Sequence, residues 1–471
     1  MRLGKLLGDG NDANVTGFAI DHRKVARGTV FGAFEGARVN GEDFIPDAIR
    51  AGAAAIVARS SAKVEGAVHI AAREPRRTFA QLAAQFFGPF PETTVAITGT
   101  NGKTSTAELV RQLWRFSGHP AASIGTLGVT TNKGQVQTGL TTPDIVTFLS
   151  NMAGLEREGV THASFEASSH GLSQYRTEGL PVRAAAFTNL SRDHLDYHGT
   201  MESYFEAKAR LFSEVVDEDG AVVAWTDDPM SAKVVEIAEA RGLRLLTVGK
   251  TGSTLKLLKQ EPTHLGQTLT IDADGESFVI KLPLIGAYQA ANALVAAGLA
   301  IATGAPTGET LSNLARVVPV KGRLERVALS QAGAPIYVDY AHTPDAIGAA
   351  CDALRPHTNA DLHLVFGAGG DRDQGKRGPM GAIASEKADR LYVTDDNPRG
   401  EDPALIREAI IAEASRAEEI ADRRTAIAAA ISAAGPDDVV LIAGKGHEQG
   451  QIVGDQVLPF DDLAVAREMA S

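Results

Sequence analysis

One cysteine, Cys351, stands in 471 residues, so no disulfide can form within the chain. A lone thiol of this kind reads as a free, buried side chain rather than a nucleophile. Long apolar runs are missing too. The most apolar stretch, Ala290 to Ala305, is interrupted by Asn292 and two glycines and is too short to span a bilayer. The opening residues, Met-Arg-Leu-Gly-Lys-Leu-Leu-Gly-Asp-Gly, lack the apolar stretch of a secretion signal. There is no long basic run, and the formal net charge is -12. Nucleic acid and anionic membrane are therefore excluded as main partners. No fixed-period repeat or low-complexity tract occurs. Together these absences predict a reducing, cytoplasmic setting.

What remains is the composition of a globular protein, 44% hydrophobic and 22% charged, long enough for about three domains. The chain is organised around Thr93 to Thr106. Val95, Ala96 and Ile97 predict a short buried strand, and Leu109, Val110 and Leu113 sit at helical spacing after it. Between them lies Gly99-Thr-Asn-Gly-Lys-Thr-Ser, with Lys103 and Thr104 at its end. Glycines let backbone N–H groups close around phosphate oxygens, and the helix N-terminus adds positive partial charge. Lys103 then reaches the outer phosphates, and the Thr104 or Ser105 hydroxyl can ligate Mg²⁺. The common form of this loop has four residues between its glycines; here Thr100 and Asn101 alone separate Gly99 from Gly102.

Residues 1–90 form a first unit, with strands expected at Phe18–Arg23, Val30–Phe34 and Ala54–Ala58. Helices are expected at Phe44–Ala51 and Pro75–Phe87. Gly88-Pro-Phe-Pro then breaks the chain. Residues 91–319 alternate strands (95–97, 163–166, 184–188, 221–224, 245–248) with helical patterns, which predicts a mostly parallel sheet with helices on both faces. Leu255 to Leu282 alternates apolar and polar residues about a turn at Asp272-Ala-Asp-Gly and reads as an antiparallel hairpin. Residues 320–471 repeat the α/β alternation, with strands at 336–339, 362–366, 390–393 and 439–442.

Ligands gather at the carboxyl ends of strands in such sheets, and that is where the polar motifs fall. Glu166 ends a strand and begins Glu-Ala-Ser-Ser-His-Gly; it suits a nucleotide's Mg²⁺, or simply the start of a helix. Thr188-Asn-Leu-Ser-Arg-Asp-His-Leu-Asp-Tyr-His packs Asp193, His194, Asp196 and His198 after another strand, as a metal or phosphate site or as a polar turn. Lys208 reads on its own as a surface lysine paired with Glu202 or Asp196. In the third unit, polar loops follow four strands: Asp339-Tyr-Ala-His, Gly367-Ala-Gly-Gly-Asp-Arg, Asp395-Asp-Asn-Pro-Arg and Gly444-Lys-Gly-His-Glu. They define one face of that unit.

These motifs, with Ala-Lys-Ala-Arg-Leu-Phe at 207–212, resemble the Mur ligase family of ATP-dependent amide-forming enzymes. The resemblance spans all three units in order. Within the family it is nearest to the branch that adds meso-diaminopimelate to UDP-N-acetylmuramoyl-L-alanyl-D-glutamate. It implies an α/β fold of three domains. These are a small N-terminal α/β domain for the UDP end, a central P-loop-type ATPase domain on a mostly parallel sheet, and a C-terminal Rossmann-like domain for the amino acid. The implied cofactors are ATP and Mg²⁺, with CO₂ carbamylating Lys208, and the implied state is a monomer.

By matching position, Gly99, Thr100, Asn101, Gly102, Lys103, Thr104 and Ser105 cradle the phosphates, and Asn292, Arg323 and Asp339 contact the nucleotide. Thr104, Glu166, His194 and carbamylated Lys208 serve the metal, with Lys103, Lys208, His194 and Glu166 as the catalytic set. Ile20, His22, Thr141, Thr142, Ser168, Gln174 and Arg176 contact the muramoyl dipeptide. Arg372, Asp396, Asn397, Pro398, Arg399, Gly444 and Glu448 contact diaminopimelate. His22 stands where the family has Ser, and Leu140 where an Asn commonly precedes the Thr-Thr pair. A folate polyglutamylating ligase, the lysine-adding form of the same enzyme, and a nucleotide switch suggested by Asn132-Lys-Gly-Gln are the competing readings.

Overall fold

A computed structural model describes residues 1–36 and 39–471. The small first sheet joins four parallel strands in chain order: Gly17–Ala19, Thr29–Gly32, Ala55–Ala58 and Val68–Ala71. The helix Pro75–Phe87 buries Phe79, Leu82 and Ala83 against it, with the Phe18 and Phe79 rings edge to face at 5.3 Å. The expected strand at Phe18–Arg23 stops at Ala19. Asp21 accepts the Arg23 N–H at 3.0 Å and closes a short 3₁₀ turn over His22–Lys24. A side-chain acceptor here outcompetes the ladder for the backbone. The strand expected at 30–34 is Thr29–Gly32. The helix expected at 44–51 is a 3₁₀ turn, Gly41–Phe44, followed by Ile45–Arg50. The helix Leu3–Leu7 and the strand Val68–Ala71 were not expected.

The central sheet has eleven strands. Seven run parallel to their neighbours in the spatial order Leu255–Thr263, Arg244–Gly249, Ala221–Trp225, Ala184–Phe187, Thr93–Thr98, His162–Glu166, Ala121–Gly125. Antiparallel strands extend both edges: Gly128–Thr131 and Gly134–Val136 at one, Gly266–Ala273 and Glu276–Leu282 at the other. Residues 255–282 are thus three strands rather than one hairpin, and the first is continuous with the parallel sheet. The overlooked turn, His264-Leu265, contains none of the residues that announce a turn. The helices Lys103–Phe116 and Ala287–Ala302 share one core over Ile97, Ala186 and Val223. The alanine-rich face of the second helix permits close approach. A Cβ on Gly298 would lie 2.8 Å from Val223 Cγ1.

The third sheet has the order Glu325–Leu329, Pro335–Asp339, Val439–Ala443, Leu362–Phe366, Arg390–Val393, Glu418–Glu419, and only its first pair is antiparallel. Its four inner strands are buried on both faces, as a helix-covered parallel sheet requires. Among the described residues no helix is long and apolar enough to cross a membrane. Cys351 is buried and free, as expected.

A fully buried ion pair pins the far side of this sheet. Arg423 donates to both Asp462 oxygens at 2.8 and 2.7 Å, and Nη2 also donates to the Ala443 carbonyl at 2.9 Å. Removing one partner of such a pair leaves an uncompensated buried charge, at a cost of about 3–5 kcal/mol. Asp462→Asn is therefore expected to lower stability by that order in urea denaturation. A change under ~1 kcal/mol would show that the pair contributes no more than an exposed one.

Candidate active site

Gly99 and Gly102 both have positive φ, +148° and +88°. A Cβ on Gly99 would collide with Thr188 Oγ1, and one on Gly102 with Asn292 Oδ1. The loop is braced by the segment after the strand Ala184–Phe187. Thr100 N–H donates to the Asn189 carbonyl at 2.9 Å and Asn101 N–H to Asn189 Oδ1 at 2.9 Å. Thr188 Oγ1 donates to the Asn101 carbonyl at 2.6 Å. Lys103 folds back over the loop, its Nζ donating to the carbonyls of Gly99 at 3.1 Å and Thr100 at 2.8 Å.

Lys208 does not lie on the surface. It is 1% exposed, and its Nζ donates to the same Gly99 carbonyl at 2.7 Å. Its ammonium lies 4.2 Å over the Tyr204 ring. Two lysines thus share one acceptor. Burial pushes both amines below the usual lysine range, and the neighbouring Lys103 pushes Lys208 further.

Glu166 is buried at its strand end. Thr126 holds both of its oxygens, through N–H at 2.7 Å and Oγ1 at 3.1 Å. Thr126 Oγ1 also lies 3.1 Å from Thr141 Oγ1, which ties the carboxylate to the Thr141-Thr142 pair. Thr142 Oγ1 donates to the Glu166 carbonyl at 2.8 Å and lies 3.0 Å from Ser168 Oγ. Asp193 sits between His194, at 3.5 Å, and His342 of the third unit, at 3.8 Å. Burial drives the His194 imidazole down to about 3, so it is neutral.

From the junction of the second and third units, Arg323 Nη2 donates to Thr104 Oγ1 at 2.9 Å. Its guanidinium stacks over Tyr340 at 4.3 Å. Asp339 accepts the N–H groups of Leu324 and Ala341 at 2.6 and 2.8 Å, and burial raises it to about 6. These parts, apart from Gly99, Thr142 and Leu324, line one cavity of about 580 Å³. Of the expected residues it gathers Thr100 to Ser105, Asn292, Arg323, Asp339, Glu166, His194, Lys208, Thr141 and Ser168. Its far wall carries Trp225, Leu257, Gln260 and Tyr288.

Among the described residues no group of three or more His, Cys, Asp or Glu side chains forms a metal cage. A Mg²⁺ ion keeps water ligands and is typically held by one or two carboxylates together with substrate phosphates. Glu166, the second lone pair of Thr104 and the neutral His194 are the donors available.

The remaining expected residues lie outside the cavity. Arg176 donates to Gln174 Oε1 at 2.7 Å and to the Thr142 carbonyl at 2.8 Å, and Gln174 donates to Tyr197 OH at 3.2 Å. Ile20 and His22 belong to the first unit, where His22 stacks flat on Phe44 at 4.2 Å. A separate cluster forms where the third sheet's loops meet. Arg399, at φ +52°, donates to the Gly370 carbonyl at 2.9 Å and the Asn397 carbonyl at 3.4 Å. Among the described residues neither Arg399 nor Arg372 has a carboxylate at ion-pair distance. Burial and Arg372 lower the Arg399 pKa. Asn397 Nδ2 donates to Glu448 Oε2 at 2.9 Å, Asp396 is buried beside Gly444, and the Pro398 carbonyl closes on Gly370. The sequence reading overlooked Thr126, Tyr204 and Lys445. Thr126 follows the strand Ala121–Gly125, which was not expected from the sequence, so the strand-end rule did not reach it.

The profile described as the Mur ligase family catalytic domain matches residues 14–86. The Mur ligase middle domain matches 97–300, and the Mur ligase glutamate ligase domain matches 322–446. The chain is 58% identical over 461 residues to a UDP-N-acetylmuramoyl-L-alanyl-D-glutamate–2,6-diaminopimelate ligase of Zymomonas mobilis, covering 97% of this chain and 95% of that one. It is 49% identical to the protein of the same name from Bradyrhizobium diazoefficiens, covering 100% and 99%. A solved structure of a UDP-N-acetylmuramoyl-L-alanyl-D-glutamate–2,6-diaminopimelate ligase superposes with a TM-score of 0.73 at 31% identity, over 100% of this chain and 98% of that one. A phosphate loop, a strand-end carboxylate and a third unit reaching back to the loop, matched in order by three domain profiles and full-length relatives, show that the chain belongs to the Mur ligase family.

Proposed function

We propose that the chain joins meso-diaminopimelate to UDP-N-acetylmuramoyl-L-alanyl-D-glutamate, with ATP converted to ADP and phosphate. The observation that carries this reading is the convergence in one cavity of the phosphate loop, Glu166 and Lys208 with Arg323 and Asp339 from the third unit. The names of relatives 58% and 49% identical support the choice of substrates over a folate ligase or a lysine-adding form. Residues 1–90 hold the UDP end, 91–319 hold ATP and 320–471 bring the amino acid. We place the chain in the cytoplasm as a monomer.

A free carboxylate is a poor acylating agent. In the proposed reaction the D-glutamyl carboxylate attacks the γ-phosphorus of ATP, ADP departs, and an acyl phosphate forms. The diaminopimelate amine then attacks the acyl carbon, and phosphate leaves from the tetrahedral intermediate. The chain's contribution is positioning and charge neutralisation. Lys103 turns from the loop carbonyls to the γ-phosphate. Arg323 and Asn292 flank the nucleotide. Thr141 and Ser168 hold the dipeptide end beside Glu166. Bound Mg²⁺, held by Glu166 with Thr104 and His194, supplies charge neutralisation to the phosphates.

Lys208 is the odd member, a cation beside Lys103 where a divalent cation is to bind. Carbamylation by CO₂ replaces its charge with an anionic oxygen ligand and removes the like-charge contact. The direct test of the whole reading is phosphate release from ATP, Mg²⁺ and UDP-N-acetylmuramoyl-L-alanyl-D-glutamate. Release with diaminopimelate and not with lysine is expected; the opposite preference would overturn the substrate assignment.

Lys103→Ala is expected to lower kcat by roughly a hundredfold or more, since one preorganised charge donor is lost. Near-normal turnover would remove the loop lysine from the mechanism.

With ¹³C-bicarbonate, the wild type is expected to show a carbamate carbon resonance that Lys208→Ala lacks. The variant is expected to lose activity and recover part of it with added short carboxylic acids. An active alanine variant, or no difference between the spectra, would exclude the carbamate.

Arg399 has backbone carbonyls as its acceptors and suits the second carboxylate that distinguishes diaminopimelate from lysine. Loss of a buried charged partner costs roughly 2–5 kcal/mol. Arg399→Ala is accordingly expected to raise KM for diaminopimelate at least about tenfold and to leave KM for ATP unchanged. Retention of the full preference over lysine would show that selection lies elsewhere.

A further inference from the structure

Lys445 is fully buried and has no place in the chemistry described above. Its backbone is held on both sides. Gly444 has φ +115°, and a Cβ there would lie 2.6 Å from Asp396 Oδ2. Gly446 has φ +55°, and a Cβ there would lie 2.7 Å from the Gly322 carbonyl and 2.9 Å from Tyr340 Cβ. The lysine therefore has little freedom to leave its position. Its Nζ donates to Asn397 Oδ1 at 3.0 Å and to Glu448 Oε2 at 3.0 Å. Asn397 Nδ2 donates to the same Glu448 oxygen at 2.9 Å, which closes a triangle.

Each bond in the triangle fixes an orientation. Asn397 Oδ1 also accepts the Ile452 N–H at 2.9 Å. With two donors aimed at its oxygen, the amide has its NH₂ directed at Glu448. Glu448 Oε2 takes two donors, while Oε1 has no hydrogen bond among the described residues and the side chain is 31% exposed. One carboxylate oxygen is thus tied inward and the other is left for a ligand. Asn397 follows the strand Arg390–Val393 and Glu448 follows the strand Val439–Ala443, so the lysine joins two loops that no backbone ladder connects directly.

We infer that Lys445 is a positioning residue for the amino-acid end of the reaction: it locks Asn397 and Glu448 together so that Glu448 Oε1 meets the far ammonium of the diamino acid. This rests on the proposed assignment of that cluster to diaminopimelate. A buried cation filling space alone would serve folding and not substrate choice, and the two roles separate in kinetics.

The test is a double-mutant cycle in the full-length enzyme with Lys445→Met and Glu448→Gln, reading KM for each substrate and the melting temperature. Lys445→Met is nearly isosteric. It is expected to raise KM for diaminopimelate at least about tenfold and to leave KM for ATP and for the UDP-linked substrate within about twofold. If the lysine acts through Glu448, the double variant is no worse than the worse single variant. Multiplying effects, or an unchanged KM, would overturn the inference. So would a parallel rise of all three KM values with a lowered melting temperature, which is the signature of a purely structural lysine. Should Lys445→Met fail to accumulate as folded protein, Lys445→Leu, which likewise has no donor, takes its place in the cycle. Failure of Lys445→Leu as well would assign the residue to folding and overturn the inference. If the wild type releases phosphate with another amino acid, the substrate reading falls, and the cycle run with that amino acid still decides the role of Lys445.

Discussion

The Gly99 carbonyl is the point on which the phosphate site depends. It accepts from Lys103 at 3.1 Å and from Lys208 at 2.7 Å. Lys208 is out of water and Lys103 is part-buried; burial pushes both amines below the usual lysine range, and the charge on Lys103 pushes Lys208 further. A single carbonyl dipole does not offset that. Two changes relieve it. In the proposed reaction Lys103 moves onto a phosphate, and Lys208 exchanges its charge for a carbamate. Under that proposal each change also builds the site, because the first binds the nucleotide and the second adds an oxygen ligand. The loop is therefore assembled around an excess of positive charge within a chain whose net charge is -12.

This arrangement stays in register because the third unit reaches back to it. Arg323 contacts Thr104, and His342 approaches Asp193, which also faces His194. Arg192 of the central unit meets Asp373 of the third at 3.3 Å. Asp339, at the end of its strand, accepts the N–H groups of Leu324 and Ala341 and so anchors the segment that carries Arg323. The cluster of Asn397, Arg399 and Glu448 occupies neighbouring loops of the same sheet. One unit thereby presents Arg323 to the phosphate loop and, on loops that follow the carboxyl ends of parallel strands, the cluster proposed to meet the amino acid.

Much of this was legible in the sequence because it is local. The phosphate loop, its flanking strand and helix, and the strand-end motifs are contiguous, and their residue types have one dominant physical use. What failed was non-local or mimicked another pattern. Lys208 read on its own as a surface lysine because the carbonyl it meets lies 109 residues earlier, and the family resemblance alone brought it to the site. The residues from 255 to 282 read as one hairpin because His264-Leu265 gives no turn signal and the alternation runs through it. Phe18–Arg23 read as one strand because the competing acceptor, Asp21, sits inside the apolar pattern. Thr126 has no chemistry of its own; its importance lies in the two Glu166 oxygens it holds, and only the fold shows that.

Six buried and half-buried cations show two kinds of partner. Arg423 faces Asp462, Arg377 faces Glu401 and Lys445 faces Glu448; each is paired with a carboxylate. Lys103, Lys208 and Arg399 have backbone carbonyls as their acceptors. A charge removed from water without a counter-ion is costly, and carbonyl dipoles return only part of the lost hydration. The paired cations hold loops. Of the carbonyl-bound ones, Lys103 and Arg399 stand where the γ-phosphate and the second carboxylate of the amino acid are proposed to bind, and an anion there supplies the counter-charge that carbonyl dipoles do not.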